Sequence, residues 1–200
     1  MRRKGTAGST LTRRDEIIQV AAKLFAEKGY DATTLDEVAR EIGVTKPALY
    51  YHISSKEEIL QVIVSRIMKM MEEVTRTGRS SVPPKERIEA MIRKLVEFPA
   101  ENAEATRIAF EQATILHQRT QAAFRRRQKD VEQALQQTLQ EGVDQGVFAI
   151  NDVKMVSFAI LGACNWVYHW FRLGGYLTPA QVSDHFIHFF ENGYLKQPRN

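Results

Sequence analysis

Residues 44–60, VTKPALYYHISSKEEIL, constrain the fold more than any other part of the chain. A short helix crowded with tyrosine, lysine and histidine follows a glycine turn, and a second capped helix follows at once. Upstream, Thr34 opens a helix whose apolar positions Leu35, Val38, Ala39 and Ile42 recur at helical spacing, and Glu37 completes a capping box three residues later. Gly43 ends that helix, because glycine takes the left-handed conformation of a helix C-terminus without a side-chain penalty. Thr45 caps the next helix, whose early Pro47 lacks only an N–H that has no helical partner there. Two helices joined so closely must turn sharply. The second, of about two turns, is too short to hold itself in water. Leu49 and Val44 are its expected attachments, and its other side chains face water or a ligand.

That arrangement has the form of a helix-turn-helix, which pushes the start of its second helix into a DNA major groove while surrounding groups fix register on phosphates. Lys46, Pro47 and Tyr50 lie where base contact is feasible, next to the capping Thr45. Tyr51, His52 and Lys56 lie later, where hydroxyl, imidazole and ammonium donors can grip phosphates. Thr33 and Thr34, with the N–H groups of the preceding helix start, offer a further phosphate seat. Singly, Tyr50 and Tyr51 read equally as packing residues and Lys56 as a solvated charge.

Residues 12–60 resemble the N-terminal DNA-binding domain of the TetR family of bacterial transcriptional regulators. The resemblance is carried by RRDEIIQVAAKLFAEKGYDATTLDEVAREIGV and LYYHISSKEEIL. It implies that Lys46, Pro47 and Tyr50 lie nearest the bases and that Thr34, Tyr51, His52 and Lys56 lie nearest the phosphates. Ala48 stands where many members carry threonine, so one hydroxyl contact is missing.

Composition agrees without being decisive. Of 200 residues, 44% are apolar, enough for a buried core, and the net charge of +4 is only modestly basic. The distribution says more, since residues 1–14 hold Arg2, Arg3, Lys4, Arg13 and Arg14 and no acid. Residues 1–11 read as a disordered basic arm, either a DNA-following segment or a solubilising tail. No apolar segment follows those charges as in a signal peptide, and no apolar run is long enough to span a bilayer. The single cysteine, Cys164, excludes an internal disulfide and fits a reducing cytoplasm.

The rest reads as all-α, giving about nine helices in total. Predicted helices span 55–77, 84 to Phe98-Pro99, 103–116, 120–142, 152–173 and 178–194. The domains expected are the arm 1–11, a three-helix head 12–55, and a bundle 56–196 for ligand binding and dimerisation. The last two helices carry more apolar residues than one buried face requires: Val156, Phe158, Ile160, Leu161 and Val167, then Val182, Phe186, Ile187, Phe189 and Phe190. Such helices from two subunits make a four-helix interface, and a two-fold homodimer suits a palindromic operator. The alternative is that they fill one subunit's core.

For sensing, Asn165, His169 and Arg172 recur at helical spacing, flanked by Trp166 and Trp170, as polar groups in an apolar surround do at a small-molecule site. Phe110 joins them as a candidate lining residue. The alternative is that the tryptophans pack and Arg172 caps carbonyls near the helix end. Between His117 and Lys129 the chain carries Arg119, Arg125, Arg126, Arg127 and Lys129 with no acid, a patch suited to a polyanion such as a coenzyme A thioester, or else a solvated face. WVYHWFRLGGYLTPAQV and QTLQEGVDQGVF also resemble the acyl-CoA-responsive branch of TetR-like regulators, which implies an effector site at Trp166, His169, Trp170 and Arg172. His169 replaces an arginine of some relatives and points toward thioester or carboxamide contacts. The expected function is a dimeric repressor released from its operator by an acyl-CoA, the alternative being a lipophilic drug. No cofactor is expected. An enzyme finds no nucleophile motif, and a metal sensor finds only His185 and His188, with Cys164 or His169 as further ligands, short of a supported set.

Overall fold

The computed structural model describes residues 12–192. The expected basic arm, the end of the last helix and the end of the bundle domain lie outside the described residues. Among the described residues the chain is all-helical: α1 (Arg13–Lys28), α2 (Leu35–Ile42), α3 (Lys46–His52), α4 (Lys56–Gly78), α5 (Pro84–Glu101), α6 (Ala103–Gln112), α7 (Gln118–Asp144), α8 (Val153–Asn165), the single turn α9 (Val167–Trp170) and α10 (Pro179–Asn192). A 3-10 turn, Ala113–Ile115, follows α6.

Capping sets the head's element boundaries. Thr12 and Asp15 form a reciprocal capping box on α1, and Thr34 and Glu37 form one on α2. Gly43 takes φ +75° and donates its N–H to the carbonyls of Ala39 and Arg40. Thr45 accepts from the Ala48 N–H. At α4 only half of a capping box forms: Ser55 accepts from the Glu58 N–H, but the Glu58 carboxylate takes the Ser54 N–H and hydroxyl and the Arg14 guanidinium. That carboxylate therefore ties α1 to the start of α4. Inside the head, Ile17, Ala21, Phe25, Val38, Leu49, Ile53 and Ile59 are essentially fully buried, and the rings of Phe25 and Tyr30 meet edge-on at 5.0 Å.

α4 runs unbroken from the head into the bundle, and α1 also packs against α6. α4, α5 and α7 form the bundle's centre, with α8 against α5 and α7 and with α10 on α5. Where the three central helices meet, a Cβ on Gly78 would lie 2.9 Å from the Met91 sulfur and 3.1 Å from the Ala134 Cβ, a close approach that a side chain here would meet only by displacing the Met91 thioether. The Gly78 carbonyl accepts from Arg87 Nη1 at 2.8 Å and from Thr138 Oγ1 at 3.1 Å, and buried Arg87 also pairs with Glu141.

Three helix ends differ from the sequence reading. α5 passes through Pro99 to Glu101, because Pro99 is buried among neighbours that hold the turn despite the missing N–H. The helix expected over 103–116 tightens into the 3-10 turn after Gln112. The helix expected over 152–173 stops at Asn165, resumes for one turn as α9, and is extended at Phe171. Buried Cys164, Val167 and Phe171 anchor both sides of this break, so tertiary packing outweighs local helix preference.

Candidate DNA-reading face and effector cavity

The turn at Gly43 sets α3 across α2, and Leu49 pins it by burying nearly its whole side chain, a contribution of about 1.5–3 kcal/mol. With Leu49 inward, Lys46, Pro47, Ala48, Tyr50 and Tyr51 all face outward, and Tyr51 is 86% exposed. Tyr51 meets His52 edge-on at 5.1 Å. Lys46 Nζ lies 3.0 Å from an Asp36 carboxylate oxygen and 5.9 Å from the centre of the Tyr50 ring. The hydrogen bond to Asp36 raises the lysine pKa and keeps it charged. Lys46 must exchange this exposed pairing for any base or phosphate contact. Thr34 and Thr45 use their hydroxyls as caps while remaining exposed.

Two candidates are engaged elsewhere. Thr33 is fully buried, and its hydroxyl donates to the carbonyls of Gly29 at 2.8 Å and Leu24 at 3.3 Å, so it closes the loop after α1 and offers no phosphate seat. Lys56 Nζ donates to the carbonyls of Tyr30 at 2.8 Å and Asp31 at 3.2 Å and lies 4.8 Å from the Tyr30 ring centre. Two of its ammonium N–H groups thus satisfy backbone acceptors, which leaves one N–H for a phosphate. A basic residue just inside an α4 start is ambiguous in sequence, because the two carbonyls it meets lie some 25 residues away.

In the bundle, α4, α5, α6, α7, α8 and α9 line a cavity of about 450 Å³. Its inner end is buried, with Met70, Met71, Leu95, Pro99 and Thr106. Phe110 and Tyr168, their rings stacked at 5.9 Å between centroids, form one wall. Exposed Arg125, Gln128, Lys129 and Asn165 stand at the rim, with Glu132 beside them. Of the ligand candidates, Phe110, Asn165 and Arg125 line this cavity. Trp166, Trp170, His169, Arg172 and Arg126 do not.

The helix break explains the difference. Trp166 is 60% exposed on the outer surface, and Trp170 is also exposed. His169 lies against Trp166 at 3.8 Å and Tyr168 at 4.3 Å between ring centroids. Arg172 Nη1 donates to the carbonyl of Phe171 at 2.9 Å and, more weakly, of His169 at 3.4 Å, and its side chain borders a groove between α1, α6 and α9. It thus takes the capping alternative. Arg126 is exposed one residue from Arg125 and so turns away from the rim. The sequence reading missed Met70, Met71, Leu95, Pro99, Thr106 and Tyr168. Apolar residues at helical spacing carry no mark distinguishing a cavity wall from a filled core; the one available signal was a proline inside a helical pattern.

A second hollow of about 790 Å³ lies between α5, the α7–α8 connection, α8 and α10. Of its charged residues, Lys85 pairs with Glu191 at 3.3 Å and with Glu89 at 4.0 Å, and Asp152 caps α8. Cys164 is fully buried on α8, and burial pushes its thiol pKa up to about 12, so it is an inert packing residue at neutral pH. Among the described residues no three His, Cys, Asp or Glu side chains converge, and His188 shares a contact with Asn192. No described helix is long and apolar enough to cross a membrane.

Comparison with known proteins places both halves of this molecule. Residues 17–63 match the family model described as bacterial regulatory proteins, tetR family, and residues 81–194 match the tetracyclin repressor-like C-terminal domain. The HTH-type transcriptional repressor KstR2 of Mycobacterium tuberculosis is 27% identical over 197 residues, covering 96% of this chain and 97% of its own. The solved structure of that ketosteroid transcriptional regulator superposes with a TM-score of 0.82 at 27% identity over 96% of this chain and 99% of its own. PfmR, a TetR family transcriptional regulator of Thermus thermophilus, is 30% identical, with a TM-score of 0.76 over 94% of this chain and all of its own. AibR, solved in complex with isovaleryl coenzyme A and operator DNA, is 28% identical, with a TM-score of 0.70 over 89% of this chain and 97% of its own. With both the head and the C-terminal bundle matched, the chain belongs to the TetR family of bacterial transcriptional regulators.

Proposed function

We propose that this regulator is a dimeric repressor of a palindromic operator, released when an acyl-CoA thioester enters the cavity between α4 and α8. The observation that carries the reading is the cavity itself: an apolar interior of about 450 Å³ beneath a rim holding Arg125 and Lys129. That volume suits an acyl group and not a whole coenzyme, so the phosphates would remain outside, within reach of α7 arginines and lysines. The complex of AibR with isovaleryl coenzyme A and operator DNA supports the same effector class. A lipophilic drug would use the apolar interior but not the basic rim.

Dimerisation is assigned to α8 and α10, where Met155, Phe158 and Phe189 are exposed large apolar side chains, Phe158 also lining the cavity. Ile160, Val167, Val182 and Ile187 are buried within the subunit, so only part of the expected apolar set remains for a partner. Release follows from the two joints between bundle and head. Phe110 and Thr106 on α6 line the cavity, α6 packs on α1, and α4 passes directly into the head. A ligand that prefers one setting of α6 and α4 shifts the spacing of two reading heads.

The test is a thermal-shift and calorimetric screen of acyl-CoAs, free acids and lipophilic cations against wild type and an Arg125→Ala/Lys129→Ala variant. Thioesters should stabilise the wild type and lose most of that effect in the variant. Operator DNA should weaken thioester binding by the factor with which the thioester weakens operator binding. Stabilisation by lipophilic cations alone, undiminished in the variant, refutes the effector class; equal thioester affinity with and without DNA refutes release.

A further inference from the structure

The inner end of the cavity is apolar except for one group. Thr106 is only 1% exposed and lines the cavity, and its Oγ1 finds no hydrogen-bond partner among the described residues. Threonines inside helices ordinarily donate to the carbonyl four residues back. Thr75, Thr77 and Thr138 all do so here, to Met71, Glu73 and Ala134. Thr106 does not, although its own N–H bonds Asn102 oxygen at 2.8 Å and the same acceptor is nearby. A buried hydroxyl left unpaired is unfavourable, so folded proteins rarely keep one without use.

A second observation concerns the facing helix. Pro99, inside α5, has no N–H for the carbonyl of Leu95 four residues earlier, and both residues line the same inner end as Thr106. The closed end of an otherwise hydrocarbon-like cavity therefore combines a free hydroxyl with a helical turn short of one donor.

We infer that Thr106 is a specificity-determining residue that hydrogen-bonds a carbonyl or hydroxyl oxygen carried near the far end of the effector's acyl group. The preferred effector is then an oxygenated acyl thioester and not a plain saturated one. This rests on the cavity being the effector site. Discrimination of this kind is strong because a site with a buried polar group is penalised by a ligand that leaves it unpaired.

The experiment compares octanoyl-CoA with its keto analogue oxygenated near the chain end, by calorimetry, on wild type, Thr106→Val and Thr106→Ser. Wild type should bind the keto thioester about tenfold more tightly than the saturated one. Thr106→Val, which keeps the shape and removes the hydroxyl, should abolish that preference, and Thr106→Ser should retain most of it. Ligand-free Thr106→Val should also melt no lower than wild type, since it removes an unpaired buried hydroxyl. Binding of both thioesters with a preference unchanged by Thr106→Val overturns this assignment and leaves the effector cavity standing. A lower melting temperature of free Thr106→Val also overturns it, because the hydroxyl would then be paired in the free protein. Failure of both thioesters to bind wild type overturns the effector reading and this assignment together.

Discussion

Replacing Lys56 with alanine separates a structural lysine from a DNA-binding one. The Lys56 ammonium holds two backbone carbonyls, Tyr30 at 2.8 Å and Asp31 at 3.2 Å, beside the Tyr30 ring at 4.8 Å. Charge-assisted hydrogen bonds contribute about 1.5–3 kcal/mol each and the cation–π contact about 0.5–1. The longer, exposed bond counts at the low end, and ordering the side chain costs about 2 kcal/mol. The net loss on truncation is about 1.5–3.5 kcal/mol, which lowers Tm by at least about 3 °C in a chain of this size. Calorimetry gives the Tm, and fluorescence anisotropy of labelled non-specific duplex at several salt concentrations gives the slope of log affinity against log salt. Lys56→Ala should destabilise the protein and leave that slope unchanged. Lys46→Ala is the control, because its pair with Asp36 is exposed and screened by solvent, so Tm should scarcely move. A Lys56→Ala protein of wild-type Tm whose salt slope is shallower by about 0.9 would show that Lys56 contacts phosphate and refute the argument.

Two further outcomes test the packing and capping. In Gly142→Ala the new Cβ would lie 2.1 Å from the Phe148 ring, so the usual gain of alanine in a helix should reverse to a loss of about 1–3 kcal/mol, and adding Phe148→Ala should recover part of it in urea denaturation. The Thr34 backbone N–H, with Lys28 beside it, holds the Glu37 carboxyl at about 2 against a usual 4.5. The unfolded chain therefore binds more protons between those values, and this contribution is complete above about pH 4.5 and lost as pH falls through about 2. Glu37→Gln should flatten the fall of Tm over that window; an unchanged pH profile would show that the capping carboxylate is not coupled to folding.

Much of the head was legible along the chain because its determinants are local. A cap, a glycine that takes a positive φ and one apolar anchor act over a few residues, so Thr34, Gly43, Thr45 and Leu49 mark their own roles. Exposure of Lys46, Tyr50 and Tyr51 then follows once Leu49 is turned inward. Thr33 and Lys56 could not be read this way, because their partners are carbonyls presented by a folded loop. In the bundle, helical periodicity marks each helix but is blind to whether an apolar face meets a neighbour or a hollow. Pro99 stays helical because packing compensates for the missing bond, and the stripe from Asn165 to Arg172 breaks because buried groups on both sides of it are fixed independently. The cavity, its basic rim and the unpaired Thr106 hydroxyl exist only where the bundle helices converge. Which side chains share that space depends on interhelical distance and rotation, quantities that no local spacing in the chain encodes.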